Sequence, residues 1–556
     1  MDASMGSSNT GNRLTPARIL ALGLIAMSIL PIAAFGLRAL RGSPAPGEGG
    51  LAWDTLLPPL GFSLLQAILS SLLALAIGLP GAYFAARYNF PGRKLLFSLS
   101  ALPFSLPPLL VVLAFILYYG KNGWIPSILN ALNSALSPNG VATREYSGAL
   151  YSFRGLVFIH AFYNFPIVIQ NLGSVWSRLP DSRIEAARSL GAGRIGSFFH
   201  GSLPYLFPAI IQSLCLIFLF CFFSFTVVLV FGSTVGSTLE VDIYRALRFS
   251  NDWEKAFVLS LIQTLAAMIV VGAFELLDRR MYFQSKGFGF VRPRPRPGLA
   301  AKVALLIYAA GILVFFIGPL GALALESFRI RPSRSGPSTW GLGNYLKLLR
   351  PGQPQLLLAS ARSLLLSGSA ALLACALGFS LAYAVHRRPG DACKGKNEGL
   401  ARWAAALPLA ISSAVTAAGW SALFPQGKDF LIVLGQAALA WPFVAHYLMG
   451  AFSALDPAKS EAALVLGASR AGAAFLVELP TILPSVLSAL AFSFSMTMGD
   501  ANIPIVLGGG RYETLPLMVY RLASSYRYSE ACAAGLVLAL FTSLAFFFKE
   551  KSVEPL

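Results

Sequence analysis

Apolar residues run along this chain in continuous blocks of twenty or more, separated by short polar and mostly basic connections. A block of about 20 apolar residues is what a helix needs to cross ~30 Å of hydrocarbon at 1.5 Å per residue. The blocks are continuous rather than alternating, so they predict helices and not the strands of a membrane barrel. Six fall near 18–37, 61–86, 95–119, 153–176, 204–231 and 256–277. Six more fall near 302–325, 357–385, 403–424, 430–452, 480–507 and 530–548. The expected fold class is an all-α polytopic membrane protein of about 12 transmembrane helices. The first block, with a long polar leader and Arg38 and Arg41 behind it, is expected to be a retained span rather than a cleaved leader.

The same pattern explains the charge. Of 556 residues 56% are hydrophobic and 12% charged, with a formal net charge of +19; soluble chains carry roughly a quarter charged residues. Arg87, Arg93 and Lys94 follow the second block, and Arg178, Arg183, Arg188 and Arg194 the fourth. A further cluster from Arg279 to Arg296 follows the sixth, and Lys549 and Lys551 come after the last. The positive-inside rule makes all of these cytoplasmic if both termini are cytoplasmic, so the basic excess needs no nucleic-acid partner. The outer segment 326–355, with Arg329, Arg331, Arg334, Lys347 and Arg350, runs against the rule. The five cysteines (Cys215, Cys221, Cys375, Cys393, Cys532) show no CxxC spacing and read as packing residues, with no metal site or cofactor implied.

Internal repetition organises the rest. Residues 185–208 (EAARSLGAGRIGSFFHGSLPYLFP) and 461–484 (EAALVLGASRAGAAFLVELPTILP) align at an offset of 276, which also pairs Pro166 with Pro442 and Tyr244–Arg245 with Tyr520–Arg521. Upstream the offset is 300, pairing Gly78, Tyr83 and Arg87 with Gly378, Tyr383 and Arg387, so the first half carries about 24 extra residues near 120–152. Two tandem parallel six-span repeats follow, as a first transmembrane domain (1–278) and a second (301–556). The intervening segment 279–300 reads as a cytoplasmic Arg/Pro linker, held extended over 291–298 by the alternating prolines of VRPRPRPG.

Each half contains one cytoplasmic motif. Glu185, Ala186 and Ala187 favour helix, Gly191 six residues on permits a sharp C-terminal turn, and Leu203–Pro204 opens the next span. Glu461, Ala462, Ala463, Gly467 and Leu479–Pro480 repeat it. The predicted product is a helix–glycine–helix elbow on the cytoplasmic surface, made twice and suited to docking into a soluble partner. This EAA–Gly–Leu-Pro loop resembles the signature of the inner-membrane permeases of type I ABC importers. The resemblance spans nearly the whole chain and implies that the two elbows are coupling helices. Two copies of a cytoplasmic ATP-binding subunit and an extracytoplasmic substrate-binding protein are then the partners. No GxxxxGK[ST] loop is present, so the chain itself is not expected to hydrolyse ATP.

Among fused permeases of this type, TLEVDIYRAL (238–247) resembles both thiamine and ferric-iron importers, while MGD (498–500) with TLPLMVYRLASSYR (514–527) favours the thiamine pattern. Asp500 is a candidate pathway residue, since a carboxylate in or near a span is costly and by default functional. The structural alternative is that it caps a broken helix or pairs with Arg511. His160 and His446 read as packing histidines, and Trp176, Trp420 and Trp441 as members of an interfacial aromatic belt. A secondary transporter would share the size and the repeat but has no use for paired elbows.

Overall fold

The computed structural model describes residues 16–42, 53–93, 106–136, 150–179, 182–285, 295–331, 337–350, 355–386, 394–425, 428–508 and 513–553. Among them, eleven helices are long and apolar enough to cross a membrane. A twelfth span is a pair, Arg402–Ala410 and Ser413–Leu423, bent by 94°. The all-helical architecture of two parallel six-span halves is therefore what the hydrophobic pattern predicts. Four predicted spans are not single rods, however. The ninth breaks at Ile411–Ser412, and its counterpart in the first half has Pro107 extended (φ −56°, ψ 137°) before the helix Pro108–Tyr119. The fifth ends at Phe222 and the eleventh at Gly499, each followed by a separate short helix, Thr226–Val235 and Asn502–Gly508. Hydrophobicity runs through these breaks because they are covered by protein, where irregular backbone is tolerated at membrane depth.

The two halves hold the same unusual bond in the same place. The amide of Leu239 donates to Ser63 Oγ at 2.9 Å, and that of Leu515 to Ser363 Oγ at 2.7 Å. Each amide opens a short helix whose own N-cap threonine, Thr238 or Thr514, makes no side-chain cap bond. A serine on a neighbouring span satisfies the orphan donor instead.

The first helix of each half packs against the other half. Pro16–Gly42 sets Ala21 and Leu24 into one cluster with Ala370, Ala374 and Trp441. Backbone Pro31 O lies so close to Gly419 that a Cβ there would sit 2.2 Å away. In return, Tyr308 on Leu299–Ile312 donates to Ile77 O at 3.1 Å, and Phe316 stacks on Phe162 at 5.0 Å. Each half is thus clasped by a span of the other.

One sequence reading is corrected here. Trp176, Trp420 and Trp441 do not form an interfacial belt; all three are buried, packed between helices where their area counts most. Two of the five basic residues of the segment 326–355, Arg329 and Arg331, have a carboxylate partner. Glu326, 4% exposed, pairs with Arg331 at 2.8 Å and Arg329 at 3.8 Å, and accepts from Ser529 Oγ at 2.7 Å. Of the cysteines, Cys215, Cys221, Cys375 and Cys532 are free thiols, three of them buried, as packing residues should be. Cys393, Arg511 and linker residues 286–294 lie outside the described residues; residues 279–285 are the end of the helix Trp253–Ser285 rather than linker, Leu299 opens the next helix, and Pro295 accepts from Asn89 N at 3.0 Å.

Candidate functional site

The two elbows fold alike, down to single hydrogen bonds. Ser182–Ser189 carries Glu185, Ala186 and Ala187, and Pro457–Val465 carries Glu461, Ala462 and Ala463. The second helix is started by Asp456, whose carboxylate accepts from Ala458 N at 3.0 Å. Both helices end at a glycine with φ +88°, Gly191 and Gly467. Gly191 N donates to Arg188 O at 2.9 Å and Ala192 N to Ala187 O at 3.0 Å. Gly467 N donates to Leu464 O and Ala468 N to Ala463 O, both at 3.0 Å. These paired bonds are the Schellman closure, which needs a left-handed residue after the helix and so selects glycine. A Cβ on either glycine would meet nothing within 4 Å, so the requirement is purely conformational.

After the turn, each chain re-enters the bundle through one π-helical turn, Phe198–Ser202 or Ala474–Glu478. The residues after these turns are Leu-Pro. A proline cannot donate, and its ring crowds the carbonyl four residues back, so the preceding turn widens to a five-residue bond. The spans therefore begin before Pro204 and Pro480, at Phe198 and Leu476, rather than at the prolines as the sequence suggested. Glu185 and Glu461 are exposed, and so are Ala186 and Ala462. Beside the two turns stand Leu190 and Leu466, 89% and 87% exposed, in equivalent positions 276 residues apart.

Asp500 lies at the other end of the same span. It ends the helix Leu479–Gly499 and caps Asn502–Gly508, accepting from Asn502 N at 3.1 Å and Ile503 N at 3.3 Å. The capping role is therefore real. The residue also lines a cavity of about 260 Å³ between the halves, with Phe220, Phe443, Phe492 and Gln436. His160 lines it too, its Nε2 2.7 Å from Ser224 Oγ, and is a buried, hydrogen-bonded histidine as expected.

One residue went unnoticed in the sequence. Glu240 is fully buried, accepts from Gln263 Nε2 at 3.0 Å, and reaches into the second half to accept from Ala414 N at 3.1 Å and Ser413 Oγ at 3.4 Å. It caps the outer piece of the broken span Ser413–Leu423. A glutamate in an apolar stretch was the available signal, but only the fold reveals its partner.

Two elbows on a duplicated bundle with a cavity between its halves define a permease of the binding-protein-dependent type. Residues 78–282 and 399–549, together more than half of the chain, match the family of binding-protein-dependent transport system inner membrane components, and the chain belongs to that family. It is similar to the thiamine transport system permease protein ThiP of Brucella abortus (strain 2308), with 28% identity over 95% of this chain and 94% of that protein. ThiP of Escherichia coli (strain K12) is 26% identical over 88% of each chain. The sulfate transport system permease protein CysW of Synechocystis is 28% identical over 46% of this chain and 89% of its own length, a single half matched by a whole permease. A solved bacterial ABC transporter involved in the import of alginate aligns over 46% of this chain and 96% of that one, at 20% identity and a TM-score of 0.37.

Proposed function

We propose that this chain is the membrane permease of an ATP-driven thiamine importer in the bacterial inner membrane, with both termini cytoplasmic. Residues 1–278 and 301–556 act as its two permease domains and 279–300 as their linker. Two copies of a separate ATP-hydrolysing subunit seat on the elbows, and an extracytoplasmic binding protein delivers substrate at the opposite face. The observation that carries the transport reading is the doubled elbow: two Schellman-closed helices with exposed Glu185 and Glu461, each set beside a nearly bare leucine. An apolar side chain left in water twice at equivalent positions needs a partner groove. The π turns join each elbow directly to a span, so a displacement of the docked helix reaches the cavity wall. Thiamine is favoured by the names of relatives that align from end to end with this chain.

The test is uptake. The permease, expressed with its neighbouring ATPase and binding protein in cells lacking their own thiamine importer, is expected to restore accumulation of tritiated thiamine from nanomolar supply. Uptake of ferric iron instead, with none of thiamine, would overturn the substrate while leaving the transport mechanism intact.

A further inference from the structure

We propose that the cavity between the two halves is a binding site of the permease itself, and that it takes an aromatic organic cation. Asp500 supplies the counter-charge and Phe220, Phe443 and Phe492 the ring platform. The proposal deepens the import reading above, on which it rests, but it does not depend on the cation being thiamine.

The case begins with position. Gln436 lies eight residues into Lys428–Ser453, about 12 Å along the helix. Phe443, which lines the cavity too, lies fifteen residues into the same 26-residue helix, so the cavity sits around the middle of the span. The volume, about 260 Å³, lies just under the range of roughly 300–1,000 Å³ usual for small-molecule sites.

The lining then selects the chemistry. It is mostly apolar, and among its described residues Asp500 is the one carboxylate, with no lysine or arginine beside it. The ring of Phe220, from the first half, lies nearly parallel to that of Phe443 from the second, at 6.1 Å and 15°, and Phe492 meets Phe443 edge-on at 6.1 Å and 62°. A planar cation gains from ring faces and from a carboxylate in a poorly solvated site. The two amides of the wall, Asn164 and Gln436, are turned into the protein and donate to His160 O and Thr497 O, at 2.9 and 3.0 Å.

The repeat shows that this set is not a by-product of packing. At an offset of 276, Asp500 corresponds to Ser224, Phe492 to Leu216 and Phe443 to Ile167. The duplicated scaffold thus offers the same wall twice, and one half alone adds the charge and two of the three rings. Capping uses both carboxylate oxygens, Oδ1 for Asn502 N and Oδ2 for Ile503 N, so an asparagine would keep one of the two bonds. A carboxylate that both ends a helix and stands among aromatic rings in a cavity is placed to meet a cationic ligand.

The permease–ATPase complex in nanodiscs, without binding protein, tests this by equilibrium binding of tritiated thiamine and of N-benzylpyridinium. Wild type is expected to bind a cation saturably. Asp500→Asn, which keeps one of the two cap bonds, is expected to weaken binding at least about tenfold, and Phe443→Leu or Phe492→Leu, which leave the cap intact, several-fold with thermal melting unchanged. If thiamine does not bind but benzylpyridinium binds in an Asp500-dependent way, the site stands and the substrate falls. If the complete importer takes up thiamine and all three variants bind and transport as wild type does, the site is overturned and the substrate reading survives. Absence of saturable binding of either cation to the wild type also overturns it.

Discussion

Thr226 donates a hydrogen bond to Asn502 Oδ1 at 2.7 Å, and the two residues are each other's counterparts, 276 positions apart in the duplicated sequence. Equivalent residues of two repeats can touch only where the axis relating the repeats passes between them. This bond therefore marks the pseudo-two-fold axis, and it lies in the wall of the cavity. Asn502 Nδ2 also donates to Ser413 Oγ at 3.1 Å, which ties the axis to the broken ninth span. Thr226→Val should strand a partly buried amide oxygen and lower stability by about 1–2 kcal/mol. The double variant Thr226→Val/Asn502→Leu should cost less than the sum of its parts, because both polar partners leave together. Thermal unfolding of the purified complex, run as a double-mutant cycle, measures the difference.

At the elbows, Gly191→Val and Gly467→Val should leave membrane insertion normal and cut uptake strongly, with the double variant worst. The strain is roughly 1–2 kcal/mol for a left-handed non-glycine residue, too little to unfold a twelve-span bundle. It is confined to the turn that aims the docking helix. Gly191→Asn and Gly467→Asn should retain more activity, since asparagine tolerates positive φ. The ratio of ATP hydrolysed to substrate moved, measured in proteoliposomes, should rise in the valine variants. Wild-type coupling in the double valine variant would dismiss the elbows as the coupling device.

Ala187→Cys and Ala463→Cys, in a background without the native cysteines, should each crosslink to the ATPase subunit. Both alanines sit half-buried on the elbow helices beside the exposed Glu-Ala pairs. Crosslinking at neither position in an active complex would count against two equivalent docking seats.

Glu240 links the halves through a buried carboxylate. Glu240→Ala should destabilise the protein by several kcal/mol, since it leaves Ala414 N and Gln263 without partners in a dry site. Glu240→Gln, which keeps an acceptor, should recover much of that loss. Melting temperature together with uptake separates the two: equal melting for Ala and Gln would mean that the cross-half bonds hold nothing together.

The sequence of this protein determined its solvent, its helical class, its duplication and its elbows. Each of these is written in local order: block length against bilayer thickness, an offset held over many residues, and a glycine six residues past a Glu-Ala-Ala. The Schellman closure at φ +88° in both copies is the physical form of that spacing. The break after Phe222 was not legible, because protein rather than lipid surrounds it and composition does not register the difference, whereas the break after Gly499 was legible through Asp500 as a candidate cap. Asp500 was legible as a costly charge, yet its two roles, capping a helix and lining a cavity, depend on what stands opposite. The mutual clasp by Pro16–Gly42 and Leu299–Ile312, the Glu240 bridge and the Thr226–Asn502 bond on the axis were decided by tertiary structure alone. Hydrophobic periodicity states that a helix face is buried, but a lipid-facing Leu and a helix-facing Leu are the same residue. Which half each span packs against is fixed only when small residues such as Gly419 let one particular backbone come close.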